Sequence, residues 1–197
     1  MSDEGDDPTP EHSGSDSTIV LLRSAKNGDD GARDRLFRRL TPIVRRWATG
    51  RLPVWARYRC DSDDLVQDAL LATAKNLHRI DATGSAEFYA YLHRTLQNRI
   101  LDEISRAKLR PRASGEPAEA LAPSPLETLL DAETLERYQR GLARLAPADR
   151  AAILLRIEFG LSLEETAAEL GKPSADAARM AVNRAVKRLV EAMQHER

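Results

Sequence analysis

The sequence predicts an all-α protein built as two small helical domains joined by a flexible linker, and three observations predict it. Aromatic residues make up only 5% of the chain while Ala, Leu and Arg abound, which favours helix over the β-branched, aromatic-rich strands of a sheet protein. Apolar residues recur at spacings of three and four between recognisable cap and stop signals. A stretch of Ala, Ser, Gly, Pro and Glu over residues 113–124 then interrupts that periodicity, as a linker does. The expected division is a disordered acidic tail over 1–16, a first helical domain over 17–112, the linker over 113–124 and a second domain over 125–197.

The tail is rich in Asp, Ser, Gly and Pro and lacks periodic apolar residues, so it cannot bury enough surface to offset its ordering entropy. From Ser17 the pattern turns helical, with Ile19 and Leu22 on one side and Gly28 as a stop. A second helix carries Ala32, Leu36, Leu40, Val44 and Trp47 on one stripe, with a kink expected at Pro42 and an end at Gly50. A third opens at Asp61 or Ser62 and runs through Leu65, Ala69, Leu77 and Ile80, with Asp63 and Asp64 in its first turn, where the helix dipole favours anions. Ser85 is the expected cap of a long helix with Phe88, Leu92, Leu96, Ile100 and Ile104 inward and a basic end at Arg106, Lys108, Arg110 and Arg112.

In the second domain, Ser124-Pro125-Leu126-Glu127 reads as a helix start. Leu135, Tyr138, Leu142 and Leu145 form one stripe, and Pro147 opens a further helix through Ile153, Leu154 and Ile157 to Gly160.

Charge is segregated along the chain although the net value is only −1. Residues 1–16 carry −6, residues 17–112 carry +8, residues 113–134 carry −5 and residues 135–197 carry +2. Two basic bodies flanking an acidic connector suit a polyanionic partner. A single cysteine, Cys60, excludes an internal disulfide and leaves the four histidines without a thiolate partner, so no metal or cofactor is expected. Cys60, His78 and His93 read as structural or surface residues. No nucleophile and base pairing, paired-carboxylate site or phosphate loop can be assembled, so an enzyme is not expected. No apolar run reaches membrane-spanning length and the N-terminus is acidic where a signal peptide is basic, which points to a soluble cytoplasmic protein.

The segment from Leu161 to Met193 is the most informative. Ser162 and Glu165 make a capping box for a short helix with Leu163, Ala167 and Leu170 inward and Gly171 at its end. After Lys172-Pro173-Ser174, a longer helix carries Ala178, Val182, Ala185, Leu189 and Met193 on one stripe. Asp176, Arg179, Asn183, Arg184, Lys187 and Arg188 lie off that stripe. That is helix-turn-helix spacing, in which the second helix enters the major groove. Arg and Asn each present two hydrogen-bonding atoms in a plane, matched to guanine and adenine edges. With Ser174 at the entry, these are the candidate duplex-binding residues.

The stretches Leu142 to Arg150, Leu154-Leu-Arg156, Gly160 to Ala168, Leu170-Gly171 and Arg184 to Leu189 resemble region 4 of bacterial RNA polymerase sigma factors of the extracytoplasmic-function group. The entry to the second helix, Ala175-Asp-Ala-Ala-Arg-Met180, departs from the usual Gly-Thr-Val-Lys, so base preference does not transfer. Asp63-Asp-Leu-Val-Gln-Asp68 resembles the region 2.2 signature, and Phe88-Tyr-Ala-Tyr-Leu-His-Arg94 with Asn98 and Asp102 resembles the region 2.3 to 2.4 helix. The resemblance implies an alternative sigma factor: core RNA polymerase contact through Asp64, Leu65, Gln67 and Asp68, −10 opening by Tyr91, Arg94, Asn98, Arg106 and Lys108, and −35 reading by the C-terminal domain. It also implies an acidic linker threaded through the polymerase, base capture by the loop from Asp81 to Ala86, a free monomer and an anti-sigma partner. Independently, Tyr91, Arg94, Thr95, Asn98 and Asp102 share a side of their helix away from the Phe88 stripe, and an aromatic beside Arg suits unstacked bases. A stand-alone dimeric helix-turn-helix regulator and a sequestering protein-interaction module are the alternatives at this point.

Overall fold

A computed structural model describes residues 17–57, 60–82, 84–109 and 132–194, and every regular element among them is helical. Helix α1, Thr18–Lys26, follows Ser17 and ends before Gly28, whose φ of +92° sets the turn into the next helix. The Asp29 carboxylate accepts the Ala32 N–H at 2.9 Å and starts α2, Asp30–Ala48, which buries the expected stripe from Ala32 to Trp47. Pro42 lies inside α2, and the helix continues beyond it for more than a turn.

Helix α3, Ser62–Lys75, opens on a two-way capping box between Asp61 and Asp64. It stops earlier than the periodicity predicts. The Asn76 amide donates to the Ala72 carbonyl at 2.9 Å, and a 3₁₀ turn, Leu77–Arg79, takes over. Leu77 and Ile80 are still buried, because a three-residue period stacks positions i and i+3. Helix α4, Ser85–Lys108, begins with Ser85 inside its first turn and Gly84 as the cap, so Ser85 is not the cap expected. Phe88, Leu92, Leu96 and Ile100 close the core of the first domain against α1, α2 and α3.

In the second domain α5 spans Ala132–Arg144 and α6 spans Pro147–Ile153, with Pro147 in the first turn, where its missing N–H costs nothing. The Ser124 to Glu127 start signal lies outside the described residues. Helix α6 widens into a π turn, Leu154–Glu158, in which the Phe159 N–H reaches the Leu154 carbonyl at 2.8 Å. This corrects the register. Each residue of a wider turn lags behind the α phase, so Ile157, expected inward, is 56% exposed, while Leu155 and Phe159 are fully buried and the Glu158 side chain is only 8% exposed. Helices α7, Leu163–Glu169, and α8, Ala175–Gln194, complete the domain. A Cβ on Gly141 of α5 would come within 2.9 Å of Met193 Cγ and 3.2 Å of Leu189 Cδ1, so glycine sets how closely α5 and α8 approach.

The two domains are in contact. Helix α6 and the π turn pack on α4, and Phe159 sits among Tyr89, His93 and Trp47 with ring centroids 5.5, 6.0 and 6.4 Å away. No helix among the described residues is long and apolar enough to cross a membrane.

Candidate nucleic-acid interface

The C-terminal surface is assembled from local signals. Ser162 accepts the Glu165 N–H at 3.1 Å while the Glu165 carboxylate accepts the Ser162 N–H at 2.7 Å, fixing the start of α7. Gly171, at φ +61°, reverses the chain, and the Lys172 N–H closes back on the Ala167 carbonyl at 2.8 Å. The Ser174 hydroxyl then accepts the Ala177 N–H at 3.2 Å, so its role here is to cap α8.

Ala178, Ala181, Val182, Ala185 and Leu189 face the core, leaving Asp176, Arg179, Asn183, Arg184, Lys187 and Arg188 exposed. Arg179 pairs with Asp176 at 3.0 Å, and Arg188 pairs with Asp149 of α6. The Arg179–Asp176 pair lies at the surface and is worth about 1 kcal/mol or less, so a phosphate can displace Asp176 at little cost, whereas the Asp149 side chain is largely covered.

On α4, Arg94 and Asn98 are exposed and Tyr91 is half-buried, spaced i, i+3 and i+7 on one side. The Thr95 hydroxyl donates to the Tyr91 carbonyl at 3.0 Å. Arg106 is exposed and pairs with Glu103. Lys108 is the last residue of α4, and its side chain lies outside the described residues. Tyr91 and Arg94 line one wall of a cleft of about 730 Å³ whose other wall includes Leu142, Pro147 and Arg150.

At the start of α3, Gln67 and Asp68 are exposed. Asp64 is spent on the capping box, and Asp63 pairs with Arg45 of α2 at 2.8 Å. Leu65 is 2% exposed and belongs to the core, so it holds α3 in place and does not face a partner. The nearby Cys60 thiol is pushed up from its ordinary value, first by burial and then by the charges of Glu103, Asp64, Asp68 and Asp61. Among the described residues no group of His, Cys, Asp and Glu could hold a metal ion.

Sequence reasoning missed a polar cluster between the domains. Glu158 Oε2 accepts from Trp47 Nε1 at 2.9 Å and Arg51 at 2.7 Å, and Tyr138 donates its hydroxyl to Oε1. His93 Nε2 stands 3.6 Å from the same carboxylate, and the Arg51 guanidinium lies 4.4 Å over the Trp47 ring. Burial alone would raise the Glu158 pKa, but His93, the Arg51 charge and the Tyr138 hydroxyl outweigh it and hold the carboxyl at about 2. Tyr138 is pushed up by burial and by the Glu158 charge.

A second cluster joins Glu169 of α7 to Thr18 of α1 at 2.6 Å and Arg39 of α2 at 2.9 Å. Tyr89 is fully buried beside it, its phenol pushed up to about 12 by burial and by the Glu169 charge. The available sequence signal was thin: His93 and Tyr89 lie one position round from the Phe88 stripe, a second apolar face that a single isolated domain does not need.

Residues 36–110 match the model of Sigma-70 region 2, and residues 135–189 match that of Sigma-70 region 4, together more than half of the chain. The ECF RNA polymerase sigma factor SigD of Mycobacterium tuberculosis is 32% identical over 176 residues, covering 86% of this chain and 81% of SigD. SigM of the same organism is 35% identical over 162 residues, covering 81% of this chain and 76% of SigM. ShbA of Streptomyces griseus is 29% identical over 186 residues, covering 88% of this chain and 95% of ShbA. A solved structure of CnrH in complex with the cytosolic domain of CnrY aligns at a TM-score of 0.38 and 24% identity, covering 92% of this chain and all of that one. These relatives favour a polymerase factor over a stand-alone dimeric regulator. The chain belongs to the ECF RNA polymerase sigma factors, which direct core RNA polymerase to promoters.

Proposed function

We propose that the C-terminal domain reads the −35 duplex with α8, that the N-terminal domain opens the −10 element along α4, and that the two act together only when core polymerase spaces them. The observation that carries this reading is the exposed polar face of α8 behind a capped short helix and a glycine turn. Arg179 and Asn183, in the first half of the helix, are assigned to base edges. Arg184, Lys187 and Arg188 are assigned to phosphates, and Ser174 and Asp176 to the entry of the helix into the groove.

On α4, Tyr91 serves as the stacking platform for an unpaired base, Asn98 as a base-edge partner, and Arg94, Arg106 and Lys108 as backbone contacts. The loop from Asp81 to Ala86 holds the flipped base. Gln67 and Asp68, beside the Asp64 cap, face the polymerase. Leu65 is not carried into this assignment because it is buried.

The acidic linker, outside the described residues, occupies a basic channel of the enzyme. The factor works without catalysis of its own, in the cytoplasm, as a monomer when free and under an anti-sigma partner.

Run-off transcription with core polymerase on a cognate promoter tests the reading. Asn98→Ala and Arg179→Ala are each expected to lower initiation at least tenfold, equivalent to about 1.4 kcal/mol or more. Full activity in both removes the assigned roles. Asn98→Ala is expected to stay deficient on fully paired templates and to recover on a template whose −10 region is already open, whereas Arg179→Ala, which acts on the −35 duplex, is not expected to recover there.

A further inference from the structure

We propose that Met180 is a specificity-determining residue that reads thymine, its thioether packing on the C5 methyl of one thymine in the −35 duplex; the proposal rests on the assignment of α8 to that major groove.

The position of the side chain carries the argument. Of the large apolar side chains of α8, Met180, Val186 and Val190 are exposed, and Met180 most of all, at 54%. Val186 and Val190 lie in the second half of the helix, beyond the residues assigned to base edges. Met180 is the sixth residue of α8, in the half that a recognition helix presents to the groove floor. At 100° per residue it points roughly 155° away from the mean direction of the buried Ala178, Ala181, Val182, Ala185 and Leu189. The apolar side chain therefore stands in the middle of the outward face.

Its surroundings narrow the occupant to DNA. The neighbours at i−4, i+3, i+4 and i+7 are Asp176, Asn183, Arg184 and Lys187, all exposed. An apolar protein contact needs a contiguous patch, and this thioether is ringed by polar groups. It carries neither a charge nor a donor for a phosphate. The C5 methyl of thymine is the one methyl group that the four bases present in the major groove, and an apolar side chain is its recognised partner. An unbranched Met, with three rotatable bonds, can reach and fit such a group between hydrogen-bonding neighbours.

Helix geometry also places the thymine. Arg179 and Asn183 bracket Met180 and lie about 6 Å apart along the axis, or about two base-pair steps at 3.4 Å each. The methyl that Met180 reads therefore belongs to a pair within about two steps of those that Arg179 and Asn183 contact.

The test replaces each thymine of the −35 element, on either strand, by deoxyuridine, which keeps every hydrogen-bonding group and removes only the methyl. Holoenzyme binding and run-off transcription are measured on each template. At one thymine the native holoenzyme is expected to lose about fourfold, equivalent to about 0.8 kcal/mol for a buried methyl-sized group. Met180→Ala should show a similar loss on the thymine template and no further loss on deoxyuridine, the two changes being coupled. Met180→Leu should restore the sensitivity to the methyl. Circular dichroism checks that each variant keeps its helix content.

If deoxyuridine costs the native holoenzyme nothing at any −35 position, or if the element holds no thymine, the role of Met180 is overturned while the −35 assignment of α8 stands. A Met180→Ala holoenzyme that stays as sensitive to the missing methyl as the native one overturns it too, since another group then reads the thymine. A sensitive thymine more than two steps from the pair affected by Arg179→Ala does the same. If exchange of the entire −35 element leaves initiation unchanged, the assignment of α8 itself fails, and the role of Met180 with it.

Discussion

Glu158 and Lys187 illustrate two opposite uses of a charge. Lys187 stands exposed on α8 and interacts with whatever approaches, whereas Glu158 has given up water for four specific neighbours. Residues of the first kind were legible from the chain, since a basic residue off an apolar stripe announces itself. Glu158 was not, because Trp47 and Arg51, which donate to it, lie more than 100 positions away and no local period refers to them. The exposed kind carries a simple expectation: Lys187→Ala should weaken binding of the holoenzyme to promoter and non-promoter duplex alike and reduce the salt dependence of binding by about one phosphate. A titration of affinity against salt checks it, and an unchanged slope assigns Lys187 elsewhere. Phe159→Ala should cost about 3 kcal/mol of stability, as a buried ring in contact with Tyr89, His93 and Trp47 must when it leaves a void. Denaturant unfolding measures this, and part of the loss should appear as earlier separation of the domains.

Elements followed the sequence where the signals were local. The capping boxes at Asp61 with Asp64 and at Ser162 with Glu165, the stripe of α2, and the glycine turns at Gly28 and Gly171 all depend on residues within a few positions of one another. Departures arose where a second influence overruled the period. Asn76 capped α3 before Leu77, and the π turn moved Ile157 out and Glu158 in. Neither shows in a helical count, since both depend on backbone hydrogen bonds that apolar spacing does not encode. Two substitutions test the local account. Ser162→Ala should lower the stability of the second domain by about 1 kcal/mol through loss of one side of the box. Gly141→Val should cost about 1–3 kcal/mol by forcing α5 away from Leu189 and Met193, and thermal unfolding should show it even though α5 itself gains in helix propensity.

At the scale of the whole molecule, the pairing of domains makes stability depend on acid. Glu158 is held at about 2 against an ordinary 4.5, so its contribution is complete above pH 4.5 and is lost as the pH falls toward 2. Separation of the domains by energy transfer should therefore increase across that window in the native chain, and Glu158→Gln should flatten this component. A response identical in the two chains assigns acid opening to other carboxylates. The candidate interfaces were readable in outline because each sits on one helix; the arrangement of the domains was not, because it is decided by residues from α1, α2, α4 and the π turn meeting at once. The π turn has one more implication. The five residues that wind too loosely are the same ones that carry Glu158 across to the neighbouring domain, so any rewinding of this turn would move Glu158 off its partners there. The Phe159 amide, now bonded five residues back to Leu154, would shift to Leu155 on rewinding, making one proton a reporter of the state of the entire polypeptide.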